Sequence, residues 1–167
     1  AVKALSDKLS DISREKHTQS SQKMPNMPSK QRKVQKSGVF LFPVQITNEA
    51  KNYFDKTFLP LERYDSSADG FVLPPVIFDS EKDRINDMID SAVRLGASCA
   101  MVGNIGNLSL VAGRGLEIYG DYRFNISNNY SVAFLEDLGV SNITLSPELT
   151  LPQIRDIQGD TAVIVYG

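Results

Sequence analysis

Leu95-Gly96-Ala97-Ser98 and Leu138-Gly139-Val140-Ser141 are near copies of one another. In each, a helix-like pattern runs up to the leucine, the glycine stops it, and a short apolar run follows. The runs are Ser98–Val102 after the first and Asn142–Leu145 after the second. Glycine suits a helix C-terminus because it enters the left-handed backbone region without steric cost. A recurrent helix-glycine-strand junction is what stacked βα units need.

Outward from these junctions the alternation continues. Residues Glu81–Leu95 carry Ile85, Met88, Ile89, Ala92 and Val93 on one stripe, which predicts a helix. Ser80 and Asp83 stand at N-terminal capping positions. Ile105–Ala112 reads as a short helix, Leu116–Tyr119 as a strand, and Asn129–Leu138 as a helix started by Asn128 or Asn129. Thr150–Ile157 reads as a helix, with Thr150 and Gln153 at capping-box spacing, and Thr161–Tyr166 as the last strand.

Upstream, Val39–Ile46 reads as a buried strand and Asn48–Phe58 as a short helix. Leu61–Tyr64 and Val72–Phe78 read as strands, the latter confined to an edge or loop at its start by Pro74 and Pro75. The count is about seven strands, below the eight of a full barrel. The expected class is α/β, with parallel βα repeats forming an incomplete TIM-like barrel. An open doubly wound sheet has the same periodicity.

The first 36 residues differ in character. Ala1–Lys16 has Val2, Leu5, Leu9 and Ile12 at helical spacing, and Gln19–Lys36 is a polar linker with two prolines. The expected division is therefore a basic N-terminal helix and linker over residues 1–36 and a βα domain over 37–167. The first part holds nine Lys/Arg against three Asp/Glu, the second nine against seventeen. A basic segment can touch nucleic acid or serve as a solvated connector. It lacks the aromatic residues on which bases stack. The chain starts without Met and ends directly after an apolar run, so we read it as a fragment truncated at its C-terminus.

Cys99 is the only cysteine and His17 the only histidine. One cysteine makes neither an internal disulfide nor a multi-cysteine metal or iron–sulfur site, and it fits a reducing cytosol. Histidine-based zinc sites and Ser-His-Asp or Cys-His catalysis are excluded inside residues 37–167. No apolar run is long enough to span a bilayer. A cytoplasmic protein without a membrane partner is expected.

In parallel βα folds, sites gather at the carboxyl ends of the strands. The polar residues there include Asn104, Asp121, Arg123, Asn125, Asn128 and Glu148. Asp121 and Glu148 are the candidate catalytic pair, since two carboxylates can serve as acid and base. Asn104, Arg123, Asn125 and Asn128 are the candidate substrate-binding residues. An Asp or Asn after a strand also caps turns and helices, so each has a purely structural alternative. Arg114 and Arg123 could each face an anionic ligand. Gly103-Asn104-Ile105-Gly106 could cradle a phosphate or be a plain tight turn. Cys99 reads as a buried small hydrophobe, with no histidine near in sequence to activate it. No metal site is expected.

Two segments carry a resemblance. Gly120-Asp121-Tyr122-Arg123-Phe124-Asn125-Ile126-Ser127-Asn128 is similar to a strand, polar residue, Asn-x-x-Asn segment of the collagenase-like U-32 peptidase family. Leu138–Leu149, with Ser146-Pro147-Glu148-Leu149 at its end, resembles the family's next segment, and Gln153-Ile154 and Val163–Gly167 continue in register. The best fit is the C-terminal barrel-like portion of long bacterial members. Ser98–Asn104 looks like the preceding strand, and Val39–Gln45 and Val72–Phe78 fit earlier ones loosely.

The resemblance implies a (β/α) barrel and a peptidase, a hydrolase of collagenase type, in the parent protein. It also implies a link to RNA hydroxylation, through relatives that act on transfer or ribosomal RNA. The family's Glu-x-Phe…Gly-x-x-Cys…Gly-x-Cys region is absent here. The expectation is therefore a fragment inactive alone and without a cofactor of its own, an iron–sulfur cluster belonging to the full-length protein. The alternative is a noncatalytic or RNA-handling barrel module. Expected partners are a peptide or RNA substrate, the rest of the parent chain, and a second copy paired through open sheet edges.

Overall fold

The structure, a computed structural model, describes residues 34–166. The expected N-terminal helix and nearly all of the linker lie outside these residues. The strands are β1 (Ser37–Val39), β2 (Lys56–Pro60), β3 (Gly70–Val72), β4 (Cys99–Val102), β5 (Glu117–Gly120), β6 (Val140–Ser141), β7 (Ile143–Thr144) and β8 (Thr161–Ala162). The helices are α1 (Asn48–Tyr53), α2 (Lys82–Arg94), α3 (Leu108–Val111), α4 (Asn129–Asp137) and α5 (Leu151–Asp156).

β1 to β6 form one sheet in sequential order, and β7 pairs with β8. Every pairing is parallel. β6 and β7 are two halves of one strand, broken at Asn142, whose φ of 47° is left-handed. The break turns the strand from β5 toward β8. Seven strand positions thus follow one another without the order reversal that defines a doubly wound sheet. The fold is an incomplete, TIM-like barrel.

The sheet is curled. Register sets Phe58, Gly70, Cys99 and Glu117 in one row and Pro60, Val72, Met101, Tyr119 and Ser141 in the next. Register partners share a face, and here that face is concave. The rings of Phe58 and Tyr119 meet edge-on with centroids 5.2 Å apart. β3 and β4 lie between their strands, and a flat sheet would separate β2 and β5 by about 14 Å. Only curling brings the side chains together.

Gly70 leaves room for Cys99 on the neighbouring strand. A Cβ there would lie 2.5 Å from the Cys99 sulfur and 2.3 Å from the Cys99 carbonyl oxygen. Gln35, just before β1, donates to the Tyr119 hydroxyl at 3.0 Å and accepts from Asn142 Nδ2 at 3.1 Å. The segment before the first strand therefore ties to the fifth strand and to the break between β6 and β7.

The convex face holds the main core. Phe71, Ala100, Val102, Ile118, Val140 and Ile143 from the sheet pack on Ile85, Ile89 and Ala92 of α2, Leu108 and Val111 of α3, and Val132 and Leu135 of α4. Gly96 and Gly139 end α2 and α4 at φ of 100° and 82°, as the repeated junction predicts. Thr150 and Gln153 form the predicted capping box on α5.

Several boundaries differ from the sequence reading. Val39–Ile46 is a strand only to Val39, because Pro43–Gln45 turn into a 3-10 helix. The helix expected over Asn48–Phe58 stops at Tyr53, and Lys56–Pro60 form β2, a strand that the sequence reading missed. Leu61–Arg63 form a 3-10 turn instead of a strand, and β3 ends at Val72, before the prolines. α2 begins behind a 3-10 turn over Asp79–Glu81. There the Phe78 N–H donates to Glu81 Oε2 at 3.2 Å, so Ser80 is not the cap.

Candidate functional site

Six loops are tied in three pairs at the C-terminal ends of the strands. Arg63, after β2, donates to the Leu41 carbonyl at 3.0 Å and stacks its guanidinium over the Phe42 ring. Asn104 and Asn107, after β4, donate to the carbonyls of Pro75 and Pro74 at 3.1 Å each. Asn107 is buried, and the sequence reading missed it. Its only sequence signal is an amide facing the apolar run Leu108–Ala112. Ile126, after β5, bridges in parallel to Leu145, and the Ser146 N–H donates to the Ile126 carbonyl at 2.8 Å.

At the centre of this rim stands Asp121. Its N–H donates to the Val102 carbonyl at 2.9 Å, so it extends β5 by one residue. Strand alternation puts it on the concave side with Tyr119. The side chain is 4% exposed and forms an ion pair with Arg123. Its Oδ1 accepts the Arg123 N–H at 3.3 Å, which caps the 3-10 turn Tyr122–Phe124. Arg123 is 38% exposed at its side chain, and its guanidinium sits 5.1 Å from the Tyr122 ring centroid. Of the guanidinium nitrogens, Nη1 is the one that faces Asp121.

Gly103 makes the pair possible. A Cβ at Gly103 would fall 2.9 Å from Arg123 Cβ and 3.3 Å from Asp121 Cβ. These are contacts to the stiff base of each side chain, so any larger residue displaces the pair.

The other predicted residues lie on the same rim in different roles. Asn104 caps the turn Ile105–Asn107, accepting from the Gly106 N–H at 2.9 Å. Asn128 caps α4, accepting from the Ser131 N–H at 3.0 Å. Asn125 is exposed and left-handed, with φ of 53°. Glu148 is exposed, and its N–H donates to Ser146 Oγ at 3.4 Å. Among the described residues, no hydrogen bond or ion pair joins Glu148 to Asp121. Arg114 is not on the rim: Asp90 pairs with it, and it donates to Asn86 Oδ1 at 2.7 Å, on α2.

Cys99 lies in the concave core, fully buried. Burial pushes its thiol up to about 11, against the weaker pull of the Ser98 hydrogen bond. At neutral pH it stays protonated and is a poor nucleophile. Among the described residues, no three His, Cys, Asp or Glu side chains gather in one place. No helix among them is long and apolar enough to cross a membrane.

A surface groove of about 380 Å³ is lined by Ile105, Phe124, Ile126, Tyr130, Phe134 and Leu135 among others. Ile105 follows Gly103 by two residues, and Phe124 follows Arg123 directly.

In comparison with known proteins, the model of peptidase family U32 matches residues 71–165, more than half of the chain. The match begins on β3, further upstream than the segments that carry the resemblance, and includes Gly103, Asp121, Arg123 and the groove. No curated protein and no solved structure matches the chain. The iron–sulfur cluster implied by the resemblance does not fit these residues. A cluster needs about four ligands, mostly thiolates, and the one cysteine is enclosed in the sheet.

Proposed function

The chain belongs to peptidase family U32, and on that membership we propose that it is the substrate-holding part of a U32 barrel. It binds peptide at the C-terminal rim and does not cleave peptide alone. The observation that carries this reading is the Asp121–Arg123 pair. The buried carboxylate of Asp121 is already committed to a guanidinium and a backbone N–H, which suits positioning better than activating water. Arg123, partly open to solvent, then meets an acidic group of the substrate.

Asn125 and Glu148 have exposed side chains on the same rim and serve as hydrogen-bonding partners for a peptide main chain. Asn104 and Asn128 shape the rim through their caps. Cys99, with its thiol raised to about 11, does not supply a nucleophile, and Ser146 is buried. Groups that cleave come from outside residues 37–167.

The test is saturable binding of fluorescent peptides to the 167-residue chain, together with a cleavage assay on gelatin and the same peptides. Binding without cleavage supports the reading. Cleavage by the pure chain, lost on Asp121→Asn, overturns it. The acidic balance of residues 37–167, nine Lys/Arg against seventeen Asp/Glu, disfavours a polyanion at this rim. A single-stranded RNA oligomer bound more tightly than any peptide would replace the peptide reading with the RNA-handling one.

A further inference from the structure

Every crossover between neighbouring strand positions carries an α-helix except one. α1 lies between β1 and β2, α2 between β3 and β4, α3 between β4 and β5, α4 between β5 and β6, and α5 between β7 and β8. Between β2 and β3 the chain has only residues 61–69, with the 3-10 turn Leu61–Arg63 at their start. A parallel crossover usually packs a helix on the sheet. Here Tyr64 covers the sheet instead, its ring edge-on to Phe71 with centroids 5.9 Å apart.

The outer layer is thin at this point, and a groove of about 320 Å³ lies there. Leu61 and Tyr64 line it from the crossover, and Met88, Ala92 and Leu95 line it from α2 and its C-terminal cap. Leu95 is 55% exposed. We propose that residues 1–16 of the same chain supply the helix that this crossover lacks, seated in the groove along α2.

Three observations choose this occupant. The first is pattern and length. Val2, Leu5, Leu9 and Ile12 recur at helical spacing and make one apolar stripe. A helix from Val2 to Ile12 is about 15 Å long, and α2 offers a flank of about 18 Å.

The second is charge. Residues 37–167 hold nine Lys/Arg against seventeen Asp/Glu. Residues 17–36 hold five Lys/Arg and no acidic residue, so attraction keeps this tether close to the domain. Glu62 and Asp87 line the groove and are exposed, while Arg84, also lining it, pairs with Glu81 at 3.5 Å.

The third is attachment. Residues 17–33 lead from the segment toward β1, and β1 pairs with β2, the strand from which the short crossover leaves. Extended, residues 17–33 reach up to about 55 Å. A domain the size of residues 34–166 is roughly 35–40 Å across, so the groove is within reach. A tethered segment acts at an effective concentration in the millimolar range, which favours it over a free peptide of equal affinity.

Paramagnetic relaxation in the 167-residue chain tests the seat. Ser10→Cys carries a nitroxide away from the apolar stripe, and Cys99, fully buried, stays unlabelled. The methyl signals of Met88 and Leu95 should lose most of their intensity, while those of Leu151 and Ile154 on α5 keep theirs. Leu5→Asp with Leu9→Asp, outside the described domain, should restore both signals. Leu95→Glu, at an exposed position of the groove, should restore Met88. Broadening centred on Ile105 and Ile126 would put the segment in the other groove, and no broadening would leave α2 uncovered; either result overturns the proposal. A mixture of spin-labelled and isotope-labelled chains should leave Met88 sharp. Broadening of Met88 in that mixture would assign the groove to a second copy and overturn it too.

Discussion

Phe58 and Tyr119 touch edge-on across two intervening strands, with ring centroids 5.2 Å apart. The contact measures how far the sheet has curled, and the strands between the two rings are tightly packed. Gly70 and Cys99 occupy the same row as Phe58, and both are small. Gly70→Ala places a methyl group 2.3 Å from a backbone oxygen that cannot move aside. We expect a loss of about 1–3 kcal/mol, as overpacking typically costs, read by urea denaturation. Unchanged stability would mean that the strands separate readily and that the curl is not tightly packed.

Gly103 plays the corresponding part at the rim. Gly103→Ala should weaken peptide binding by displacing Arg123, whose Cβ is 2.9 Å from the new methyl group. Peptide titration beside a thermal melt separates the effects: binding should fall even where the variant remains folded at the assay temperature.

The break between β6 and β7 depends on a left-handed residue. Asn142→Gly keeps that backbone and loses the Asn142–Gln35 hydrogen bond. Asn142→Val loses both and should be less stable than Asn142→Gly by about 1–2 kcal/mol. Denaturant midpoints of the two variants give the comparison directly.

Alkaline pH should weaken the fold in a defined window. Burial raises the Cys99 thiol from 9.0 to about 11 and the Tyr64 and Tyr119 phenols from 10.0 to about 12. For each group the folded state holds its proton more tightly than the unfolded one. The resulting stability is complete below pH 9 and is lost as pH rises through the folded values. Urea unfolding from pH 7 to 12 should show this decline, and Cys99→Ala should remove the part that begins near pH 9. An identical profile in Cys99→Ala would contradict a raised thiol.

The sequence showed the fold where the signals are local. The stripe of Ile85, Ile89 and Ala92 and the stops at Gly96 and Gly139 needed only neighbouring residues to be read. β2 was missed because Tyr53, Phe54 and Phe58 continue a helical spacing, while the pairing that makes Lys56–Pro60 a strand comes from β1 and β3. Val39–Ile46 reads too long because its apolar content continues through Pro43–Gln45, where the chain turns into a 3-10 helix. At the rim, Asp121 was identifiable from its place after a strand. The need for glycine at 103 was not, since it arises from side chains that follow the next strand. The groove was invisible for the same reason: Ile105 and Phe134 belong to different βα units.

The most direct test of the account is a double-mutant cycle on peptide binding, using Asp121→Asn, Arg123→Gln and the two together. If Asp121 acts by positioning Arg123, each single variant weakens peptide binding and the double variant is no weaker than Arg123→Gln alone. Losses that add would show that Asp121 contacts the peptide independently, and the positioning role at the centre of this account would be wrong.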